Sequence, residues 1–158
     1  MPEAPSALHL LHRAGQCADE LFASQVQESE LTPRQFVVLI AVPDSEEPSQ
    51  TTLVQKTGID RSTLADIVRR MVKRGLLARK RTRKDARMYA VWLTSKGETA
   101  LKAAQPAARA TDERLLAALS QREREVFLGA LSKIVKMIDD AEQGANPGPF
   151  GPSQTKAA

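Results

Sequence analysis

The sequence predicts a mainly α-helical fold with one small β-hairpin. Three observations carry that reading. Apolar residues recur at steps of three and four through most of the chain, as one face of a helix does. Helix-start signals punctuate it, among them Thr32-Pro33-Arg34-Gln35 and Ser120-Gln121-Arg122-Glu123. Only at 77–82 and 88–93 does the pattern shorten to strand-like segments, on either side of the charged tip Arg83-Lys84-Asp85-Ala86-Arg87.

Taken in order, residues 1–5 are a loose lead-in with Pro2 and Pro5. Ser6 N-caps a first helix to about residue 28, whose apolar face is Leu8, Leu11, Gly15, Ala18, Phe22 and Val26. Gly15 marks a close helix approach, since Gly inside a helix otherwise costs about 1 kcal/mol relative to Ala. Thr32 and Gln35 form a capping box with Pro33 at the first helical position. That second helix runs to about residue 42, with Phe36, Leu39 and Ile40 inward and Leu31 stapled to Phe36. An acidic loop spans 43–48. Ser49 starts a short third helix with Leu53 and Val54 inward, and Thr57-Gly58-Ile59 turns the chain. Asp60 caps the fourth helix, on which Leu64, Ile67, Val68, Met71 and Val72 follow the helical rule. Gly75 ends it, after Lys73 and Arg74, cations suited to a helix C-terminus. Two short helices around a Gly-containing turn make a helix-turn-helix, and the hairpin that follows makes a wing. Thr94 caps a long helix from 95 to about 119, which Pro106 should kink. Ser120 and Glu123 open a last helix to about 143, with Val126, Phe127, Leu131, Ile134, Val135 and Ile138 on one stripe. The Gly/Pro-rich segment 144–158 reads as a disordered tail.

Bulk properties narrow the function classes. At 158 residues the chain is one domain with helical extensions, here 6–143. Aromatics make up only 4%, so Leu, Val, Ile and Ala must supply the core, and such helical chains often complete it with a second copy. A single cysteine excludes an internal disulfide and suits a reducing cytoplasm. No apolar run approaches a membrane span, and MPEAPSALHL lacks the basic and apolar regions of a secretory signal. No phosphate loop, zinc spacing or nucleophile–base constellation points to an enzyme or to a resident cofactor.

Charge is the strongest signal. Between Lys56 and Arg87 there are 12 Lys/Arg against 3 Asp/Glu, a local charge of +9 in a chain of net +4. A structured segment this basic in an otherwise acidic chain is the electrostatic footprint of a nucleic-acid surface. With Leu64, Ile67, Val68 and Met71 inward, the fourth helix shows Arg61, Ser62, Asp66, Arg69, Arg70 and Lys73 outward. A recognition helix enters the major groove by its N-terminus. That places Arg61, Ser62, Thr63 and Asp66 near base edges, with Asp66 alternatively paired to Arg69 or Arg70 on its own helix. Arg69, Arg70, Lys73, Arg81, Arg83 and Lys84 suit phosphates, as do the amides of Ser49 to Thr51.

Four strings then stand in order: Leu31-Thr32-Pro33-Arg34-Gln35-Phe36, Arg74-Gly75-Leu76-Leu77, Asp85-Ala86-Arg87, and Leu93-Thr94-Ser95-Lys96-Gly97. Over residues 6–143 this pattern resembles the MarR family of bacterial transcription regulators. The family's wing carries an Asp-x-Arg tip and leads into a Leu-Thr-x-x-Gly helix start. The resemblance implies a winged helix-turn-helix at 31–94, with long N- and C-terminal dimerisation helices at 6–30 and 95–143. It implies a homodimeric repressor on double-stranded DNA, at a pseudo-palindromic operator, released by a small molecule or an oxidant. It puts Arg87 in the minor groove, oriented by Asp85; apart from the resemblance, the two are an exposed turn pair.

The resemblance also implies an effector pocket between the dimer helices and the winged lobe. His9, His12, Arg13 and Gln16, then Arg34, Phe36 and Val37, and finally Trp92 are its candidate walls, for an aromatic, acidic or acyl-thioester ligand. Arg13 or Arg34 would pair with a carboxylate. Some relatives sense peroxide through a first-helix cysteine, which Cys17 matches, but peroxide sensors place tyrosines nearby and the second helix has Phe36 instead. Some relatives sense zinc, yet His9 and His12 lack a third and fourth ligand. The alternatives to a ligand-released repressor are therefore a redox-sensing repressor using Cys17 and a winged-helix protein-interaction module that does not bind DNA.

Overall fold

The computed structural model describes residues 6–26, 31–43, 49–81 and 89–143, with residues 141–143 described by backbone alone. Among these lie α1 (Ala7–Gln25), α2 (Pro33–Ala41), α3 (Gln50–Thr57), α4 (Arg61–Lys73), β1 (Leu77–Arg81), β2 (Tyr89–Leu93), α5 (Ser95–Leu115) and α6 (Gln121–Gln143). They fall into two compact units, one ending at Leu115 and the other beginning at Leu116.

Local chemistry sets most of these boundaries. Thr32 and Gln35 close the expected capping box: Gln35 N donates to Thr32 Oγ1 at 3.3 Å and Thr32 N donates to Gln35 Oε1 at 3.2 Å. Ser49 Oγ accepts from Thr52 N at 3.1 Å. Gly58 and Gly75 take φ of 65° and 74°, left-handed values that let α3 and α4 stop sharply. Ser6 stands at the N-cap of α1 but makes no side-chain cap hydrogen bond.

In the first unit the helix-turn-helix and wing share one core. Leu39, Leu53, Leu64, Val68, Met71, Leu77 and Val91 are fully buried. Full burial of such a side chain stabilises by about 1.5–3 kcal/mol. Leu31 and Phe36 are both buried, as the staple requires, and the Phe36 ring lies 5.0 Å from that of Phe22. α1 packs along α5. β1 and β2 are antiparallel, with Leu77 opposite Leu93 and Arg81 opposite Tyr89. A single bridge between Ser49 and Ala90 ties the start of α3 to the wing.

Several expectations are corrected. Ile40 is 46% exposed rather than inward. The buried residues of α2 are Gln35, Phe36, Val38, Leu39 and Ala41, joined by Val42 just past its end; Phe36 and Leu39 are inward as expected, while Gln35 is polar and so escapes a hydrophobic pattern. On α1 only Phe22 of the predicted stripe is buried, while Leu8 is 80% exposed. A Cβ at Gly15 would meet nothing within 4 Å, so among the described residues of this chain no close approach occurs there. α1 ends at Gln25 rather than near 28, and α5 at Leu115 rather than near 119. After α5 the chain makes a tight turn, Leu119 N donating to Leu116 O at 3.0 Å, which precedes the α6 cap. Pro106 lies inside α5, as the sequence places it.

The second unit is α6 and the turn before it. Ser120 N donates to Glu123 Oε2 at 2.8 Å, and Glu123 N to Ser120 Oγ at 3.4 Å, the second capping box. Its predicted apolar stripe is present but uncovered: Val126, Phe127, Ile134, Val135 and Ile138 are all exposed.

Candidate nucleic-acid interface

α4 presents its charged face outward because the opposite face, Leu64, Val68 and Met71, is taken by the core. Asp60 organises its first turn. Its Oδ1 accepts from Thr63 N at 2.9 Å and from the Ser62 hydroxyl at 2.6 Å. These hydrogen bonds, the Ser62 hydroxyl foremost, hold the Asp60 carboxyl far below the usual carboxylate range. Arg61 and Ser62 are exposed and Thr63 half-buried. Arg61 Nη2 donates to Thr51 Oγ1 at 3.4 Å, which links the starts of α3 and α4.

One turn on, Asp66 is engaged at both oxygens. Arg69 Nη2 pairs with Oδ1, and Arg70 Nε with Oδ2 at 2.7 Å. The two pairings foreseen for Asp66, with Arg69 or with Arg70, thus occur together. Arg69 and Arg70 keep 75% and 71% of their side-chain surface exposed, so the pairing orients them without covering them. Lys73 is exposed at the end of the helix. The row is extended by Arg79, Lys80 and Arg81, all exposed on β1.

Arg81 has a partner that sequence reasoning missed. Tyr89 faces it across the ladder; Arg81 Nε donates to Tyr89 Oη at 3.5 Å, and the guanidinium carbon lies 5.9 Å from the ring centroid. The contact lowers the Tyr89 phenol from its ordinary value, through the Arg81 hydrogen bond first and its charge second. Pairing the predicted strands outward from the tip would have found Tyr89. A second unpredicted link joins the far end of α4 to α2. Arg74 Nη1 donates at 3.3 Å to Gln35 Oε1, the same oxygen that caps Thr32.

The wing-tip residues Arg83, Lys84, Asp85 and Arg87 lie outside the described residues. The effector candidates lie on three elements. His9, His12, Arg13, Gln16 and Cys17 are exposed on α1; Arg34 and Val37 are exposed on α2. Phe36 is buried against Phe22, and Trp92 is half-buried opposite Ala78. Among the described residues no group of three or more His, Cys, Asp and Glu is arranged to hold a metal ion. No described helix is long and apolar enough to cross a membrane.

Comparison with known proteins agrees with this geometry. The MarR family model matches residues 29–88. The chain is 36% identical over 106 residues to the transcriptional regulator HosA of Escherichia coli, which covers 67% of this chain and 78% of HosA. It is 34% identical over 133 residues to the transcriptional repressor NicR of Pseudomonas putida, covering 84% of each chain. Its fold matches that of Bordetella bronchiseptica BpsR, whose DNA binding is regulated by 6-hydroxynicotinic acid, with a TM-score of 0.73 and 32% identity over 80% of this chain and 96% of that one. A helix-turn-helix with an outward basic face, a basic hairpin and these relatives together make the chain a DNA-binding transcriptional regulator of the MarR family.

Proposed function

We propose that this chain is a homodimeric repressor that holds a pseudo-palindromic operator and releases it when an aromatic carboxylic acid binds. The observation that carries the DNA half is the exposed basic row from Arg61 through Arg69, Arg70 and Lys73 to Arg81, on a rigid buried frame. Arg61 is the candidate for guanine, while the others suit phosphates. In this reading Arg87, oriented by Asp85, enters the minor groove. The uncovered apolar stripe of α6 supports pairing with a second copy, and two-fold symmetry in the protein calls for two-fold symmetry in the operator.

The effector half rests on likeness to BpsR, whose regulator is a small aromatic acid. Exposed Arg13 and Arg34 supply guanidinium groups for its carboxylate. The ligand switches the protein only by the difference in its affinity for the free and DNA-bound states.

The test is a binding titration on duplex from the region upstream of its own gene, repeated across salt concentrations. Each phosphate neutralised contributes about −0.9 to the log–log slope, so a steep slope is expected. A flat slope would remove the DNA reading. Adding 6-hydroxynicotinate and other aromatic acids should release the duplex; retention against every such acid would remove the effector reading and leave DNA binding intact.

A further inference from the structure

We propose that Ser62 reads the major groove as an acceptor only, selecting a base that offers an exocyclic amino group, adenine or cytosine, at the position it touches. The proposal rests on the DNA-binding reading of α4 and narrows it. A serine hydroxyl has one proton and two lone pairs, so in general it serves any base. Here the proton is committed. Ser62 Oγ donates to Asp60 Oδ1 at 2.6 Å. That oxygen is itself fixed, because it also accepts the Thr63 amide at 2.9 Å to cap the helix.

Asp60 remains ionised at neutral pH, since the hydrogen bonds it accepts favour its charged form. It therefore does not give the proton back. Ser62 is exposed at the leading turn of the recognition helix, with its lone pairs as the remaining function. In the major groove adenine N6 and cytosine N4 donate, whereas guanine O6 and N7 and thymine O4 accept. An acceptor facing those three loses a hydrogen bond and meets like partial charge. Every base pair carries one amino group in that groove, so Ser62 reports which strand carries it.

Its neighbours do not duplicate the task. Arg61 has only donors, which suit guanine. Both oxygens of Asp66 already accept from Arg69 and Arg70, so the carboxylate of the next turn is held by its own helix. Successive residues then read opposite polarity, a donor at Arg61 and an acceptor at Ser62.

The experiment selects duplexes from a randomised library with the full-length wild-type protein, Ser62→Ala and Ser62→Thr. The position whose preference changes in Ser62→Ala marks the contact. The wild type should prefer adenine or cytosine there over guanine or thymine by about five- to a hundredfold, Ser62→Ala should lose that preference, and Ser62→Thr should keep it. Replacing the base by purine or 2-pyrimidinone, which lack only the amino group, should weaken wild-type binding and leave Ser62→Ala unchanged. A wild-type preference for guanine or thymine, no position altered in Ser62→Ala, or equal weakening of both proteins by the amino-less base would overturn the proposal. If no sequence is enriched by any protein, the DNA reading itself fails, an outcome separate from a wrong base at a selected site.

Discussion

A Cβ built on Gly97 would lie 2.1 Å from the carbonyl oxygen of Leu76. The first turn of α5 is thus pressed against the backbone where α4 gives way to β1. The Leu76 carbonyl cannot easily retreat, because it accepts from Thr94 N at 3.1 Å and lies 3.2 Å from Thr94 Oγ1. Thr94 also donates to Gly75 O at 2.6 Å and caps α5 by accepting from Gly97 N at 3.0 Å. Gly97→Ala therefore separates two effects of opposite sign. Helix propensity alone would stabilise by about 1 kcal/mol. Overpacking against fixed backbone costs about 1–3 kcal/mol and should win. Urea unfolding should show a lower midpoint with an unchanged slope; a raised midpoint would mean that the contact is not rigid.

Gln35 is 9% exposed and accepts from both Thr32 N and Arg74 Nη1. Its loss removes one arm of a capping box and one hydrogen-bond acceptor of a cation 39 residues away. Gln35→Ala should cost about 1–2 kcal/mol, in the range for losing a cap or a buried hydrogen bond. A double-mutant cycle with Arg74→Ala should give a coupling of about 0.5 kcal/mol or more. Additive losses in thermal or urea unfolding would show that the two side chains act independently.

The helix starts were legible because capping is local. Thr32 with Gln35, Asp60, and Ser120 with Glu123 each lie within three residues of their partners, and the structure forms all of them. The order of elements and the basic face of α4 follow from those starts and from periodicity. The remaining features depend on residues far apart in the chain. Ile40 is exposed while polar Gln35 is buried, and Gln35 accepts a hydrogen bond from Arg74, 39 positions later. Gly97 meets Leu76, 21 positions earlier, which no local pattern announces. Periodicity showed that α6 has an apolar stripe, but it cannot say what covers a stripe, and within this chain the stripe is exposed. Ser62 is legible as a surface residue; the direction of its proton is not.

Asp66 pairs with Arg69 and Arg70 and so offsets part of the charge that the proposed interface would present to DNA. As exposed pairs on one helix these contribute little to folding, about 0.3–0.5 kcal/mol each. Asp66→Ala should thus leave the melting temperature nearly unchanged. It should tighten binding to non-cognate duplex and steepen the log–log salt slope by about 1, as one further phosphate contact would. If Asp66 reads a cytosine instead, the same variant would lose affinity for its operator without gaining affinity for random duplex. The two titrations therefore separate an orienting role from a reading role.

Tyr89 is the only tyrosine in the chain, so phenolate absorbance reports it alone. Its pKa is lowered from the model-compound value of 10.0 because Arg81 donates to the phenol oxygen and favours its charged form. Arg81→Gln should move the titration back toward 10.0. The linkage has a definite sign: between the lowered folded value and the higher unfolded value, the unfolded chain binds the extra proton. Stability from this pair therefore rises with pH across that window and is absent below it. Identical titrations for the two proteins would show that the Arg81 contact does not persist in solution.

α6 carries the last prediction. Val126 is 66% exposed, Val135 57% and Ile134 43%, and Phe127 and Ile138 lie on the same helix at 37% and 38%. A helix that displays this much apolar surface to water gives up stabilisation worth roughly 25 cal/mol for each Å² that a partner would remove. A second copy is the partner that every molecule of the protein has at hand, and a self-complementary contact needs no other gene product. Sedimentation should show a dimer for the wild type. Ile134→Asp with Ile138→Asp places charges in the stripe and should yield a monomer with α6 otherwise compatible with solvent. Operator affinity should then fall together with the dimer, since in the proposed arrangement each half-site is held by one recognition helix and the joint contact would be lost. A variant that remains dimeric would place the interface elsewhere. A monomer that binds the operator as tightly as the wild type would show that pairing is not needed for recognition.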